Sequence, residues 1–246
     1  MFGYGIDRRT LYIILGIIVV FSLINTPASV FLNLLLTLPA VIIAITFHEF
    51  AHAWMADRLG DTTPRNQGRL TLNPLSHLDP FGFVLLMFAN VGWGKPVQIN
   101  PNNFTSNKSR GTCEMLVSLA GPVMNFILAF VFLIIYVLLG ALAGEVFLAS
   151  RIGVIIMILL PIISTVNIGL GVFNLIPLPP LDGEKIFRNL LPYKAQAWLD
   201  RNTQTLTFAF MLLWITGLLG TVVSPIISVV QSGIYWLVLK VIGIFL

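Results

Sequence analysis

Long apolar segments dominate this chain, and they restrict its fold more than any other feature of the sequence. Six of them are candidates to cross a lipid bilayer: residues 11–24, 30–59, 114–141, 152–176, 205–221 and 226–245. Within hydrocarbon a chain must satisfy its own backbone hydrogen bonds, which an α-helix does. Only 10% of the residues are charged and 57% are apolar, a composition that excludes a soluble domain. We therefore predict an all-α polytopic membrane protein with about six transmembrane helices.

The first apolar segment has two interpretations. Residues 11–24 follow a short charged stretch, so they could form a signal peptide with a weak cleavage site near Ala28. Pro27 interrupts that site, and we favour a first span that is retained in the mature protein.

The segment between the second and third predicted spans has a different composition. Residues 60–110 are rich in Asn, Pro and Gly. Short alternating stretches at 68–72 and 96–99 indicate β-strands. Residues 81–91 are apolar but too few to span the membrane, so we interpret them as a re-entrant or interfacial piece. We expect a small β-containing or re-entrant loop here.

Basic residues predict the orientation, because cytoplasmic loops of membrane proteins carry an excess of Lys and Arg. Six spans with an inner N-terminus place twelve Lys/Arg residues inside and only Arg151 outside, with Lys240 within the last span. We therefore expect a multi-pass protein of the cell membrane with both termini in the cytoplasm. These loops account for the net charge of +4, which requires no nucleic-acid partner. The single cysteine, Cys113, is interpreted as structural.

A possible metal-binding motif lies near the end of the second span, where His48, Glu49 and His52 follow the uncharged residues 34–47. Histidines four residues apart project about 40° apart around a helix, so both imidazoles reach one metal ion. Glu49 is then free to act on a metal-bound water, as in the His-Glu-x-x-His pattern of zinc metalloproteases. The alternative is that the pattern arose by chance, or that the two histidines are hydrogen-bonded within a polar core. Ionisable residues at membrane depth are costly and usually functional, which favours the metal site.

A catalytic zinc usually takes three protein ligands, so a third ligand is needed at similar depth. The candidates are Asp57, His77, Asp79, Glu114 and Asp182. Asp57 projects about 140° from His52 around their helix and cannot turn back. His77 and Asp79 fit an ordinary Pro-flanked turn, and Glu114 opens a span at the inner edge. Asp182 follows a span that runs inward, so the topology brings it near the two histidines.

The residues before Asp182 support this choice. Pro177, Pro179 and Pro180 remove helical N–H groups and force an extended chain. Unpaired backbone in a membrane is tolerated only where it lies against protein or lines a wet cavity. Asn174 supplies a polar amide on one side of this break. The alternative is a helix end at the interface, with Asp182 capping the next helix.

These motifs resemble those of the site-2 protease family, the intramembrane zinc metalloproteases. That family pairs His-Glu-x-x-His on one span with Asn-x-x-Pro-x-Pro-x-x-Asp-Gly at the end of a later one, and the patterns are met at 48–52 and 174–183. A third similarity is Ala-Gly-Pro-Val-Met-Asn at 120–125. Loop pieces that look like the small bacterial and archaeal branch lie at 73–80 and 92–97.

The resemblance implies one catalytic zinc ion, with His48, His52 and Asp182 as its ligands and Glu49 as the catalytic acid/base. Asn174 would bind the substrate backbone or the developing oxyanion. Many members carry a peptide-binding PDZ module or a nucleotide-sensing CBS pair. This chain shows neither pattern, so regulation by such modules is not expected.

The similarity covers roughly residues 30–190, which we take as the catalytic core. A two-helix extension over about 204–246 completes a single integral-membrane domain of residues 1–246. The expected partners are the lipid bilayer and single-span membrane-protein substrates.

The function that this resemblance implies is regulated intramembrane proteolysis, with cleavage in or near a transmembrane segment toward the cytoplasmic side. A substrate helix hides its amides, so it must unwind, and the two predicted loop strands could hold it by adding it to a sheet edge. A zinc transporter is the main alternative, but the outer half of the bundle offers almost none of the polar residues that a transport path needs. A third possibility is an inactive homologue that binds membrane proteins, which the presence of Glu49 disfavours.

Overall fold

The computed structural model describes residues 27–79, 82 and 94–243. In that part of the chain, helices supply the regular secondary structure. They are α1 (Ala28–Arg58), α2 (Thr63–Asn66), α3 (Arg110–Leu142), α4 (Glu145–Leu148), α5 (Arg151–Asn174), α6 (Asp182–Arg188), α7 (Tyr193–Ile215) and α8 (Leu218–Ile242). Short 3₁₀ turns occur at Pro74–Ser76 and Pro101–Asn103. The predicted all-helical class is confirmed for these residues.

Four helices are long and apolar enough to cross a membrane: Leu32–Arg58 within α1, Arg110–Leu142, Arg151–Asn174 and Leu218–Ile242. Each contains one interior proline, which membrane helices tolerate because neighbouring groups satisfy the freed backbone. The prediction of six spans is not confirmed. The predicted first span, at 11–24, lies outside the described residues, as does the predicted re-entrant piece at 81–91 except for Gly82.

Helices α1, α3 and α5 pack side by side and form the centre of the bundle. Small residues permit their close approach: Ala40 and Ala44 of α1 are fully buried, and a Cβ on Gly171 of α5 would lie 3.0 Å from the Phe126 ring of α3. Lipid provides no hydrophobic force between helices, so close packing of this kind drives their association. Cys113 is also fully buried, which agrees with a structural cysteine.

The connection between α1 and α3 has no strand among its described residues, so the prediction of strands at 68–72 and 96–99 was wrong. A single antiparallel bridge joins Leu78 to Gly94 instead. The hypothesis that loop strands receive a substrate at a sheet edge therefore loses its basis.

Side chains, rather than a neighbouring strand, satisfy the backbone of this loop. The buried guanidinium of Arg69 donates hydrogen bonds to the carbonyl oxygens of Lys95 and Pro96, both at 3.3 Å. The carboxylate of Asp61, which is fully buried, accepts the N–H of Asn100 at 2.6 Å. The alternating sequence thus lies in an extended loop with no strand partner beside it.

Asp61 also joins the start of the loop to its end. Its Oδ1 accepts hydrogen bonds from the N–H of Thr63 at 3.0 Å and from the side-chain nitrogen of Asn103 at 3.1 Å. Burial alone would raise the pKa of the Asp61 carboxyl, but the bonds from Thr63, Asn100 and Asn103 outweigh it and hold that pKa below its ordinary value. The carboxylate therefore stays ionised at neutral pH and keeps the loop folded against α1.

The C-terminal region differs from the two spans predicted at 205–221 and 226–245. Residues 193–204, which precede the predicted span at 205–221, are also helical, so α7 begins at Tyr193. The apolar half of α7 is too short to cross a membrane. Among the described helices, α7 is therefore not one of the four candidate spans. The chain then turns at Gly217, whose φ of +76° suits a residue without a side chain.

Helix α8 runs along the bundle in the same direction as α3. Near its start, Val223 packs with Val172, close to the end of α5. Near its end, Val238 and Ile242 pack with Leu133, toward the end of α3. Ile242 therefore lies at the opposite end of the bundle from the break that follows α5. Two membrane crossings after residue 204 would have returned the chain to the end where that break lies. The prediction of two such crossings was therefore wrong.

Candidate metal centre

His48, His52 and Asp182 converge on one point, although they come from distant parts of the chain. The Nε2 atoms of the two histidines lie 3.0 Å apart, and each lies 3.1 Å from Oδ2 of Asp182. Both imidazoles are buried and the carboxylate is half-buried. Among the described residues these three form a group that could hold a metal ion.

The break after α5 delivers Asp182 to the histidines. Helix α5 ends at Asn174, and α6 begins at Asp182 after a proline-rich turn. A Cβ on Gly183 would lie 2.5 Å from the carbonyl oxygen of Leu175, so glycine is needed for α6 to fold back against the end of α5. The N-cap of α6 is Leu181, and no side chain caps this helix. The alternative role of Asp182 as a helix cap is therefore wrong.

Hydrogen bonds on the far side of each imidazole decide which ring nitrogen carries the proton. Nδ1 of His52 lies 2.7 Å from the carbonyl oxygen of Val117, and Nδ1 of His48 lies 2.6 Å from Oδ1 of Asn125. Both partners are acceptors, so each Nδ1 donates a proton, and in a neutral imidazole each Nε2 then keeps a lone pair. In these neutral tautomers, the two Nε2 lone pairs and a carboxylate oxygen of Asp182 face one another.

A zinc ion fits this arrangement. In tetrahedral sites zinc binds imidazole nitrogen and carboxylate oxygen at about 2.0–2.2 Å, which separates neighbouring ligand atoms by roughly 3.3–3.6 Å. The observed separations are slightly shorter, so small side-chain rotations admit the ion. Three protein ligands leave one position open, and each histidine already has the outer hydrogen bond that is typical of metal-binding imidazoles.

A cavity of about 1050 Å³ opens beside the three ligand atoms. Glu49 lines it, and Oε2 of this residue accepts the backbone N–H of Val97 at 3.0 Å. Asn174 also lines the cavity, with its side-chain nitrogen donating to the carbonyl oxygen of Leu170 at 3.0 Å. The wall is mostly apolar, and it follows α1 from the metal-binding end as far as Val41.

The four other candidates for the third ligand lie outside the converging group: Asp57, His77, Asp79 and Glu114. Asp57 is paired with the guanidinium of Arg65, at 2.9 and 2.6 Å. His77 is fully buried within the loop, where its Nε2 lies 2.7 Å from the carbonyl oxygen of Thr71. The choice of Asp182 over these residues agrees with the structure.

Comparison with known proteins identifies the family. The sequence model of Peptidase family M50 matches residues 36–218, three quarters of the chain, and this range contains the three converging residues and Glu49. The chain belongs to peptidase family M50. The resemblance to site-2 proteases is thereby confirmed, and the chain is a metalloprotease.

Curated relatives of this M50 peptidase cover most of its length. The "Putative zinc metalloprotease YwhC" of Bacillus subtilis is 38% identical over 208 residues, which are 85% of this chain and 91% of that protein. The "Putative zinc metalloprotease Rip2" of Mycobacterium tuberculosis H37Rv is 31% identical over 200 residues, 80% of this chain and 70% of the relative. Its namesake in Mycolicibacterium smegmatis is 31% identical over 155 residues, 61% and 54% of the two chains. No solved structure shows a significant match.

The sequence analysis assigned no chemical role to two asparagines near the metal centre of this M50 peptidase, although one of them, Asn125, ends the motif at 120–125. Asn125 of α3 and Asn167 of α5 are fully buried within candidate spans, and Asn125 contacts His48 directly. A polar residue at membrane depth is a signal for function. That rule selected the histidines, and it would also have selected these two residues.

Gly121 of α3 lies against the two histidines. A Cβ at this position would lie 2.5 Å from Nε2 of His52 and 2.6 Å from Cε1 of His48, both far inside van der Waals contact. The glycine therefore leaves room for the two imidazoles to face Asp182 together.

We predict that Gly121→Ala displaces the histidines, lowering zinc content and reducing stability by about 1–3 kcal/mol, the usual cost of an overpacked core. Gly140→Ala is the matched control on the same helix, because a Cβ there meets only Cε of Met157, at 3.6 Å. Zinc content by mass spectrometry and thermal unfolding in detergent measure both effects. Parent-like zinc binding in Gly121→Ala would contradict the prediction.

We also predict that Asp182→Ala lowers zinc content strongly, because it removes one of three ligand atoms, whereas His77→Ala leaves zinc bound. The zinc content of the two purified variants, measured after equal dialysis, distinguishes the two candidate ligands. Full zinc content in Asp182→Ala together with loss in His77→Ala would reverse the assignment.

Proposed function

We propose that this M50 peptidase is an intramembrane zinc endopeptidase, which hydrolyses a peptide bond in or near the transmembrane segment of another membrane protein. In this proposal His48, His52 and Asp182 hold one zinc ion, and Glu49 is the acid/base. The observation that carries the proposal is the convergence of three ligand atoms beside a glutamate, inside a bundle of apolar helices. The names of the relatives, which are zinc metalloproteases, support the choice of zinc.

The chemistry requires a nucleophile and a proton carrier. A zinc ion at this site supplies the nucleophile at neutral pH, because it lowers the pKa of a bound water to about 7. Glu49 takes up the proton of the attacking water and later delivers it to the leaving amine. The N–H of Val97 holds the Glu49 carboxylate in the cavity. Asn174, on the same wall, binds the substrate backbone or the developing oxyanion.

The shape of the cavity supports a membrane segment as substrate. Val41 and His52 both line it and are eleven residues apart on α1, so it extends about 16 Å along that helix. An extended peptide covers this length with about five residues. The apolar wall suits the side chains of a single-span membrane protein, whose helix must unwind locally before its amides can be attacked.

Helices α7 and α8 form one side of this cavity, which supports treating them as an extension of the catalytic core within one domain. Phe210 and Trp214 of α7 line the cavity and pack against Phe173 of α5, with ring centroids 5.8 and 5.2 Å from that of Phe173. Ile227 of α8 lines it farther along the bundle.

We further propose that the metal-binding end of the bundle faces the cytoplasm. Ten Lys/Arg residues lie in segments 58–110 and 185–201, which adjoin that end. Only Arg151 and Lys240 lie at the opposite end of the described helices. This asymmetry has the sign of the positive-inside rule, which supports the proposed orientation, and in that orientation the end of α8 would lie outside the cell.

The substitution Glu49→Gln tests the proposed activity, because the amide keeps the shape of the side chain but cannot take up a proton. We expect zinc content to stay near that of the parent and cleavage of a tagged single-span substrate to fall about 10²–10⁴-fold. Glu145→Gln, at the far end of the bundle, is the control, and a zinc chelator should abolish cleavage by the parent. Substantial cleavage by zinc-loaded Glu49→Gln would exclude the assigned role.

The orientation is tested with single cysteines in a Cys113→Ser background. We expect cysteines at Gln67 and Asn107 to be shielded from an impermeant thiol reagent in intact cells, and cysteines at Gly144 and Ala149 to react. All four positions are exposed, so accessibility depends on the side of the membrane alone. The opposite labelling pattern would mean that the metal-binding end, and with it the proposed cleavage, lies at the outer face of the membrane.

A further inference from the structure

The two histidines differ in what holds their outer nitrogen. Nδ1 of His52 is bound to the main-chain carbonyl of Val117, which can only accept a hydrogen bond. Nδ1 of His48 is bound to the side chain of Asn125, whose amide has an accepting end and a donating end. The tautomer of the neutral His48 imidazole therefore depends on which end of Asn125 faces it.

The orientation of Asn125 is set by two other helices. Its Nδ2 donates to the carbonyl oxygen of Ala44 on α1 at 3.1 Å and to Oδ1 of Asn167 on α5 at 2.9 Å. Nδ2 of Asn167 donates in turn to the carbonyl oxygen of Ile163 at 2.9 Å, which turns Oδ1 of Asn167 toward Asn125. Both amides are fully buried, so these contacts are made without bulk water.

A reversed Asn125 would disable His48 as a ligand. Its NH₂ group would then face Nδ1 of His48, which would have to accept the hydrogen bond and leave the ring proton on Nε2. A protonated Nε2 has no lone pair to offer a metal ion. The chain of hydrogen bonds from Ile163 through Asn167 and Asn125 therefore specifies the tautomer of His48 that can bind the ion.

We propose that Asn167 is a positioning residue of the metal centre, which acts through Asn125 to keep Nε2 of His48 free of a proton and directed at the ion. The inference rests on the proposed zinc site. Outer partners of metal-binding histidines change metal affinity by about 10- to 100-fold when they are removed. Asn167 exerts this control from a separate helix, without touching the ion or any of its ligands.

A purely structural role is the competing explanation, because buried polar side chains also join membrane helices. Ser164 provides the matched control. It lies one turn before Asn167 on α5, is buried, and donates a hydrogen bond to the carbonyl oxygen of Ala129 on α3 at 2.9 Å. Ser164→Ala therefore removes a hydrogen bond from the same interface without affecting the path to His48.

The experiment measures the zinc dissociation constant of the purified, detergent-solubilised protein by competition with a chelator. We expect Asn167→Leu to weaken zinc binding about tenfold or more, and Ser164→Ala to leave it unchanged. Asn125→Asp places an acceptor toward His48 whichever way the side chain turns, so it should retain zinc. In the Asn125→Asp background, Asn167→Leu should then have no further effect.

The outcomes separate the two explanations. An unchanged zinc constant in Asn167→Leu, or an equal loss in the parent and Asn125→Asp backgrounds, would overturn the inference. If Asn167→Leu does not fold, Asn167→Asp still provides an acceptor for Asn125 and should bind zinc like the parent; a tenfold loss there would be contrary to the proposal. A parent protein that binds no zinc, or binds it equally after His48→Ala, would instead refute the metal centre itself.

Discussion

Two imidazole nitrogens and a carboxylate oxygen lie within 3.1 Å of one another, and in the neutral tautomers their lone pairs repel unless a cation lies among them. The surrounding structure serves this contact. Gly121 leaves room for the imidazoles, Gly183 lets α6 return to the end of α5, and the outer hydrogen bonds direct the lone pairs inward. Together these features bring three side chains into a group that could hold a metal ion.

Side chains also satisfy the backbone of the loop before α3, and one of them, Glu49, lines the cavity beside the metal centre. Arg69 holds the carbonyls of residues 95 and 96, while Glu49 and Asp61 accept the N–H groups of Val97 and Asn100. The proposed acid/base is therefore part of the network that holds the loop in position. Loop geometry and the placement of the Glu49 carboxylate depend on each other.

The sequence predicted the helical class and the meeting of His48, His52 and Asp182, because helical spacing and the direction of the spans determine both. It could not predict which groups hold the loop in place. An alternating pattern indicates which side chains are exposed, but not which groups form hydrogen bonds with the backbone. The start of α7 was missed for a similar reason: hydropathy detects an apolar segment and not the polar turns that continue the same helix. The role of Asn125 depends on partners from two other helices, which no local pattern contains.

The position of Asp182 at the first residue of α6 has a thermodynamic consequence. The histidines belong to α1 and the carboxylate to a segment that follows α5, so an ion bound by all three is a cross-link between distant parts of the chain. A ligand that binds only the folded state stabilises it by mass action, by about 2.7 kcal/mol when its free concentration is 100 times its dissociation constant. With the proposed ion bound there, the folding equilibrium of this bundle would be coupled to the free metal concentration in the compartment that its metal-binding end faces.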